Sequence, residues 1–398
     1  MTRRNRSATL LGSLILIAGT SHGAPPPNVV PSDSAANTAM GSNAMSSNLS
    51  GYENTAAGAH AMESNTSGNR NVAVGQGAMR YNTDGTFNTG VGDGALYYNT
   101  TGIYNTAFGY DTLANTTTGD YNAACGALAL SSNTIGSNNA ALGQVALWYN
   151  TTGNDNTAAG AGAMKQNTTG SNNTAAGFEV LQENTTGTNN TAFGSGAMGN
   201  NVTGGDNTAL GTSALGTNQG GSNNIAIGSK AGYYLRGSRF NIDIGNMGLA
   251  SDVGTIRLGT TNQQTATYVA GIAGAQVTGA AVYVSATGQL GVLASSERYK
   301  TKVTSMGGSS KRLRALRPVT YELKSDPRAG TQYGLIAEEV ARVYPELVVR
   351  GAGGEIEGVR YEELTPMLLN ELQRQQTELA QVKAQLAALS RTVEQRPH

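Results

Sequence analysis

The chain of 398 residues is long enough for two or three domains, and 54 glycines with only 13% charged side chains exclude one ordinary globule. A formal net charge of zero with no Lys/Arg block leaves nothing to hold a nucleic acid, and a single cysteine, Cys125, excludes an intrachain disulfide framework. The charge is also uneven: residues 37–240 carry 16 charged side chains in 204 positions, whereas residues 295–398 carry 29 in 104.

Residues 1–23 read as a secretory signal peptide. Arg3, Arg4 and Arg6 give a basic start, Leu10 to Ala18 an apolar core, and Ser21-His22-Gly23-Ala24 a small-residue exit with cleavage near Gly23. The apolar run is shorter than the roughly 20 residues that a bilayer requires, and no other segment has the composition of a membrane-spanning helix. The expected location is therefore secreted, extracellular or at the cell surface, by bacterial-type export. Residues 24–36 open with Pro25-Pro26-Pro27 and read as a stiff linker.

From Asn37 to about residue 245 the chain repeats every 17 residues as N-T-A-x-G-x-x-A-[LM]-x-x-N-T-T-G-x-x. The first Asn recurs from Asn37 and Asn54 through Asn224, with a worn thirteenth copy at Asn241. A fixed period of this length marks a stacked array in which each unit is buried by its neighbours. Gly and Asn disfavour helix, and 17 residues suit one coil of a parallel β-solenoid or β-roll. Twelve coils at ~4.8 Å each predict a rod of about 55–60 Å.

The fourth position is apolar throughout, from Met40 through Phe108 and Cys125 to Ile227, and the ninth is Met or Leu except at Gly232. Both columns are expected to stack as apolar ladders, which makes Cys125 a small buried side chain. The Asn-Thr-Thr-Gly end predicts a turn, with positive φ available to its Gly. Asn over Asn predicts side-chain amide bonds along the axis. The same turn chemistry accounts for the recurrent Asn-x-Thr matches without glycosylation. So thin a coil buries little apolar surface, which predicts a homo-oligomer, a trimer. The repeat resembles the heads of trimeric autotransporter adhesins, whose coils of a shorter period stack as left-handed parallel β-rolls.

Residues 246–294 read as a β connector, with short strands at Ile256–Leu258, Ala266–Ala270 and Ala281–Val284 separated by Gly-containing turns. Residues 295–398 read as a small α+β module. Glu338 to Tyr344 is helix-like and is ended by Pro345. A final helix starts with Thr365 as N-cap and Pro366 at its first position. In it Leu372, Leu379, Leu386 and Val393 alternate with Leu368, Gln375, Val382 and Leu389, an a/d seam that predicts a coiled coil over about 366–395.

Three blocks of this module resemble the endosialidase-type intramolecular chaperone, the autoprocessing domain at the C-terminus of phage tail spikes and fibres. They are Ser295-Ser296-Glu297-Arg298-Tyr299-Lys300, Leu316-Arg317-Pro318-Val319-Thr320-Tyr321, and Gly334 to Val340 followed by Tyr344-Pro345-Glu346-Leu347-Val348. The resemblance implies a domain that drives trimerisation and then releases itself at Ala294-Ser295, with Ser295 as nucleophile and Lys300 as general base. Ser296 stands where the family has Asp, which brings Ser296 in as a second nucleophile, and the five-residue spacing to Lys300 favours Ser295. A desolvated Lys can take a proton from a Ser hydroxyl, so the chemistry suits these residue types.

His22, His60 and His398 are scattered, so neither a metal site nor a His-based triad is read, and no cofactor is expected. The functional expectation is a secreted trimeric fibre with a C-terminal chaperone that is a single-turnover peptidase on its own chain. The alternative is an uncleaved cell-surface adhesin or filament with a permanent trimeric cap. Expected partners are further copies of the chain and a surface glycan or host-surface receptor.

Overall fold

The computed structural model describes residues 33–270, 272, 278–285, 287–326, 328, 330–351 and 353–394. The signal segment at 1–23 and the linker up to residue 32 lie outside the described residues. The chain divides into two compact units, Met1–Ala270 and Gly271–His398.

The first unit is a parallel β-solenoid. Fourteen strands, from β1 (Thr38–Met40) to β13 (Ile242–Ile244) and β14 (Ile256–Leu258), pair in chain order in one sheet. Each step advances 17 residues, as in Thr38↔Thr55 and Ile225↔Ile242, until the last, Ile242↔Ile256, which advances 14. Ile256–Leu258, expected in the connector, is thus the rod's last rung, and Ala266–Ala270 forms no strand. Positions 9 and 11 add a second ladder, with Met45 N–H donating to Ala61 O at 3.0 Å and Ser47 N–H to Glu63 O at 3.1 Å.

Strand alternation decides what fills the coil. The third position points inward, and Ala56, Ala73, Ala107 and their counterparts to Ala226 are buried against the eighth and ninth positions, such as Ala95 and Leu96. Gly232, the exception in the ninth column, leaves room that Leu235 fills. The fourth position points outward. Phe108 (44% exposed), Leu142 and Phe193 stack as a ladder, but on the surface of the coil. Cys125, in the same column, is exposed, contrary to the burial expected of it. The interior has room for Ala and one long side chain per coil, so the bulkier fourth-position residues are turned out.

Two Asn columns run along the sheet, the second interrupted by Thr116 in the fifth coil. Asn54 Nδ2 donates to Asn37 Oδ1 at 3.1 Å and to Gly68 O at 2.8 Å, and Asn150 Nδ2 donates to Asn133 Oδ1 at 2.8 Å and to Gly153 O at 3.0 Å. These amides are buried and paired, the condition on which buried polar groups are tolerated. The glycine of the Asn-Thr-Thr-Gly turn does not take positive φ. It is required because a Cβ on Gly102 would stand 2.5 Å from Asn99 Oδ1 and 2.6 Å from Gly119 O. Positive φ belongs to the fifth-position glycines, such as Gly143 at 129°, and to non-glycine residues such as Leu96 at 52° and Tyr104 at 56°.

The second unit holds three antiparallel pairs: β15 (Tyr283–Val284) with β16 (Leu290–Gly291), β17 (Val319–Tyr321) with β18 (Gln332–Gly334), and β19 (Val348–Arg350) with β20 (Ile356–Val359). Helix α1 (Ala337–Val343) follows β18, and Pro345–Leu347 makes one 3₁₀ turn after it. Helix α2 (Tyr361–Glu394) is longer than expected. It begins four residues before Thr365, which is therefore inside the helix and not its cap, and Pro366 sits within the early turns. Val340, Tyr344, Leu347, Val348, Leu364 and Met367 form the core of this unit.

Candidate assembly and processing site

The seam from Leu293 to Lys302 lies in the second unit as exposed chain interrupted by one 3₁₀ turn, Glu297–Tyr299. The turn is closed by Tyr299 N–H donating to Ser296 O at 3.0 Å and Lys300 N–H donating to Glu297 O at 2.9 Å. Arg298 lies over the Tyr299 ring, 4.7 Å from its centroid. Ser295 is just before the turn and Lys300 just after it, and both are exposed in the single chain. Among the described residues no hydrogen bond joins their side chains.

A stretch of 3₁₀ turns, Gly307–Ala315, follows the seam and packs along α2. Ser310 Oγ donates to Glu371 Oε2 at 3.1 Å, and Asn370 Nδ2 donates to Gly307 O at 2.9 Å and to Ser310 Oγ at 2.6 Å. Arg374 pairs with Glu371 and holds that carboxyl below the usual range, with help from the Ser310 hydroxyl. Tyr344 is buried beneath Arg312, 4.5 Å from its ring centroid, and donates its hydroxyl to Ser309 O at 2.9 Å. Burial pushes the Tyr344 phenol up. Arg317 clasps Glu339 with Nε and Nη2 at 3.2 and 2.5 Å and lowers its carboxyl. Tyr361 at the head of α2 accepts Leu335 N–H at 2.8 Å. Together these bonds fix the strand, the first helix and the base of α2 as one body from which the seam enters.

Helix α2 has two faces of different fate. Leu364 and Met367 are buried in the unit's core, and Asn370, Glu371 and Arg374 form the polar network with the 3₁₀ stretch and one another. The a/d residues Leu368, Leu372, Leu379, Val382, Leu386 and Leu389 are all more than half exposed. Isolated exposed leucines are ordinary, whereas these follow heptad spacing and form one continuous apolar stripe along the helix.

The segment that carries this site has a family. Residues 295–349 match the chaperone of endosialidase. No curated protein and no solved structure matches the chain. The chaperone match opens on Ser295 and ends in β19, before β20 and α2. It therefore covers all three sequence blocks, whereas the leucine seam lies beyond it. Sequence reasoning singled out Ser295, Lys300 and the heptads, and the single chain does not join the Ser295 and Lys300 side chains. That reasoning missed Ser310, Asn370 and Glu371, whose only signal was a polar stripe beside the leucines of α2.

Proposed function

We propose that this chain is the subunit of a secreted homotrimeric fibre whose C-terminal module gathers three chains and then releases itself. The observation that carries the reading is the exposed a/d stripe of α2, standing directly after a segment that matches an intramolecular chaperone. A helix of 34 residues with this stripe gains little alone and much when parallel copies cover it. Chains joined in parallel there start their rods in a common register, and the outward fourth-position ladder offers each rod an apolar face of the same period as its neighbour's. The rod is then the part that meets a surface glycan or a host-surface receptor.

Release follows from Ser295 and Lys300. The Ser295 Oγ attacks the carbonyl carbon of Ala294 while its proton passes to the Lys300 amine. The Ala294–Ser295 C–N bond breaks, the proton goes to the Ser295 nitrogen, and water hydrolyses the resulting ester to the Ala294 carboxylate. The single chain leaves both side chains in solvent, where an ammonium is a poor base. Burial against neighbouring copies favours the neutral amine of a lysine. Cleavage is thereby tied to assembly. Deleting residues 295–398 tests the chaperone role by sedimentation. The truncated chain is expected as monomer or aggregate, and soluble trimers of it would sink the proposal.

A further inference from the structure

The strand-opposite segment of the coil varies in size along the rod, and in its middle two aromatic pairs bracket two coils of small side chains. At positions 10 and 11 the fourth coil has Tyr97-Tyr98 and the seventh has Trp148-Tyr149, whereas the two coils between them have Ala114-Asn115 and Ser131-Ser132. The small residues leave a notch between two aromatic walls, three coils or about 14 Å apart at ~4.8 Å per coil. Its first end is a cavity of about 300 Å³ lined by Asp93, Tyr97, Tyr98, Asp111, Asn115 and Ser131. That volume is at the small end of ligand sites.

We propose that this notch binds a neutral sugar unit of a glycan. The Tyr98 ring stacks on Tyr81, with centroids 5.3 Å apart and planes 4° from parallel, and remains 47% exposed. It is flanked by Tyr97 at 4.8 Å and 79°. The Tyr97 hydroxyl accepts Arg80 Nη1 at 3.1 Å, and Arg80 Nε is paired with Glu63 at 2.7 Å. The aromatic wall is thus ordered before any ligand arrives, which removes part of the entropic cost of binding. An ordered ring with an open face suits the C–H face of a pyranose.

The polar groups suit its hydroxyls. Neither Asp93 nor Asp111 pairs with a cation among the described residues, so both carboxylates can accept hydroxyl protons. Asp111 leans over Gly94, where a Cβ would collide with its Oδ1. Hydrogen bonding to Asp111 and the charge of Asp111, with Asp93 beyond it, lift the Tyr110 phenol above its usual range. Asn115 Nδ2 is committed to Ser131 O at 2.8 Å, which leaves Oδ1 as a further acceptor. Two carboxylates with no cation beside them repel an acidic sugar, so the ligand is neutral.

The fifth coil also breaks the repeat at a cost. Thr116 replaces the Asn of its column, and its buried Oγ1 has no partner. Departures from a fold's own rules of this kind collect at functional sites. The notch leaves the coil from a different segment than the fourth-position ladder, so association through that ladder does not use its residues.

The inference rests on the rod being the binding part of the fibre and not on trimerisation or cleavage, which separate measurements address. Saturation-transfer-difference NMR on the full chain, with lactose, maltose, chitobiose, sialyllactose and choline as probes, tests it. At least one neutral disaccharide is expected to receive saturation. Its affinity is expected to fall about tenfold in Tyr98→Ala and in Asp111→Asn. Tyr98→Phe keeps the ring and is expected to retain binding, and Tyr234→Ala, an aromatic far along the rod, is expected to leave it unchanged. Failure of all three neutral sugars, preference for sialyllactose or choline, or undiminished binding by the folded Tyr98→Ala or Asp111→Asn protein would overturn the proposal.

Discussion

The rod and the C-terminal unit bury comparable kinds of side chain but dispose of their remaining apolar surface in different ways. In the rod the coils cover one another, so that the third- and ninth-position side chains and the Asn columns are sealed along the axis, with buried oxygens left unpaired at Thr116 and Asp243. What remains apolar is a ladder on the outer face of the strand. The C-terminal unit closes a small core around Tyr344 and then extends α2 beyond it with the leucine stripe uncovered. Periodic backbone pairing lets the rod stand without large side chains, whereas the non-repeating unit closes a small core and leaves most of one long helix exposed.

The largest expected effect comes from adding one methyl group where coils touch. Gly143→Ala places a Cβ 2.6 Å from Gly160 C and O at a φ of 129°, and is expected to cost on the order of 3 kcal/mol or more in urea unfolding. Gly358→Ala in β20 meets open space and is expected to stay within about 0.5 kcal/mol of the parent. Equal costs at the two sites would remove the contrast between the units.

Asp243 marks the rod's last full coil. It occupies the third position, where the other coils have Ala or, in the fourth, Gly90, and both its buried oxygens lack partners. Burial, with Asp252 nearby, raises its pKa from 3.8 to about 6. The native state therefore holds a proton that the unfolded chain has released. Its stabilising contribution is complete below about pH 4 and is lost as pH rises toward 6, by about 3 kcal/mol. Asp243→Ala is expected to show no such loss, so the variant gains on the parent across that window in urea titrations. A constant gap from pH 4 to 7 would contradict the assignment.

Asn150→Ala removes three side-chain bonds, strands Asn133 Oδ1 and leaves Asn167 Nδ2 with Gly170 O alone, for an expected loss of about 1–3 kcal/mol in the same assay. The smallest effect is a chemical one. Cys125 sits on the outward ladder, so rods paired through that face bring the thiols of neighbouring chains together. Mild oxidation of the assembled fibre is expected to give disulfide-linked dimers on non-reducing gels, and their absence would place the rod contact on another face.

The register of the rod was legible because Asn recurs at a fixed spacing, and the sheet follows it from Thr38 to Ile242. Which residue of each strand points inward was not legible. Phe108 is the better core residue by type, yet Ala107 is the one the narrow coil admits. The turn glycines were legible as necessary but for a different reason, close approach at Gly102 in place of positive φ. The leucine seam was visible by spacing, whereas Ser295 and Lys300 were singled out by the resemblance of residues 295–300 to the chaperone's opening block. The base of α2 was misread because Thr365-Pro366 carries the composition of a helix start, whereas the pairing of Tyr361 with Leu335 fixes the helix one turn earlier. The aromatic notch was present in the sequence as two aromatic pairs three units apart with small residues between them, and becomes meaningful only when coils are stacked.

Intact-mass analysis of the assembled wild-type protein tests the central claim most directly. The account predicts a rod ending at Ala294 and a released fragment beginning at Ser295, with the chain left uncut in Ser295→Ala and in Lys300→Ala. A wild-type trimer that stays whole, indistinguishable from Ser295→Ala, would contradict it.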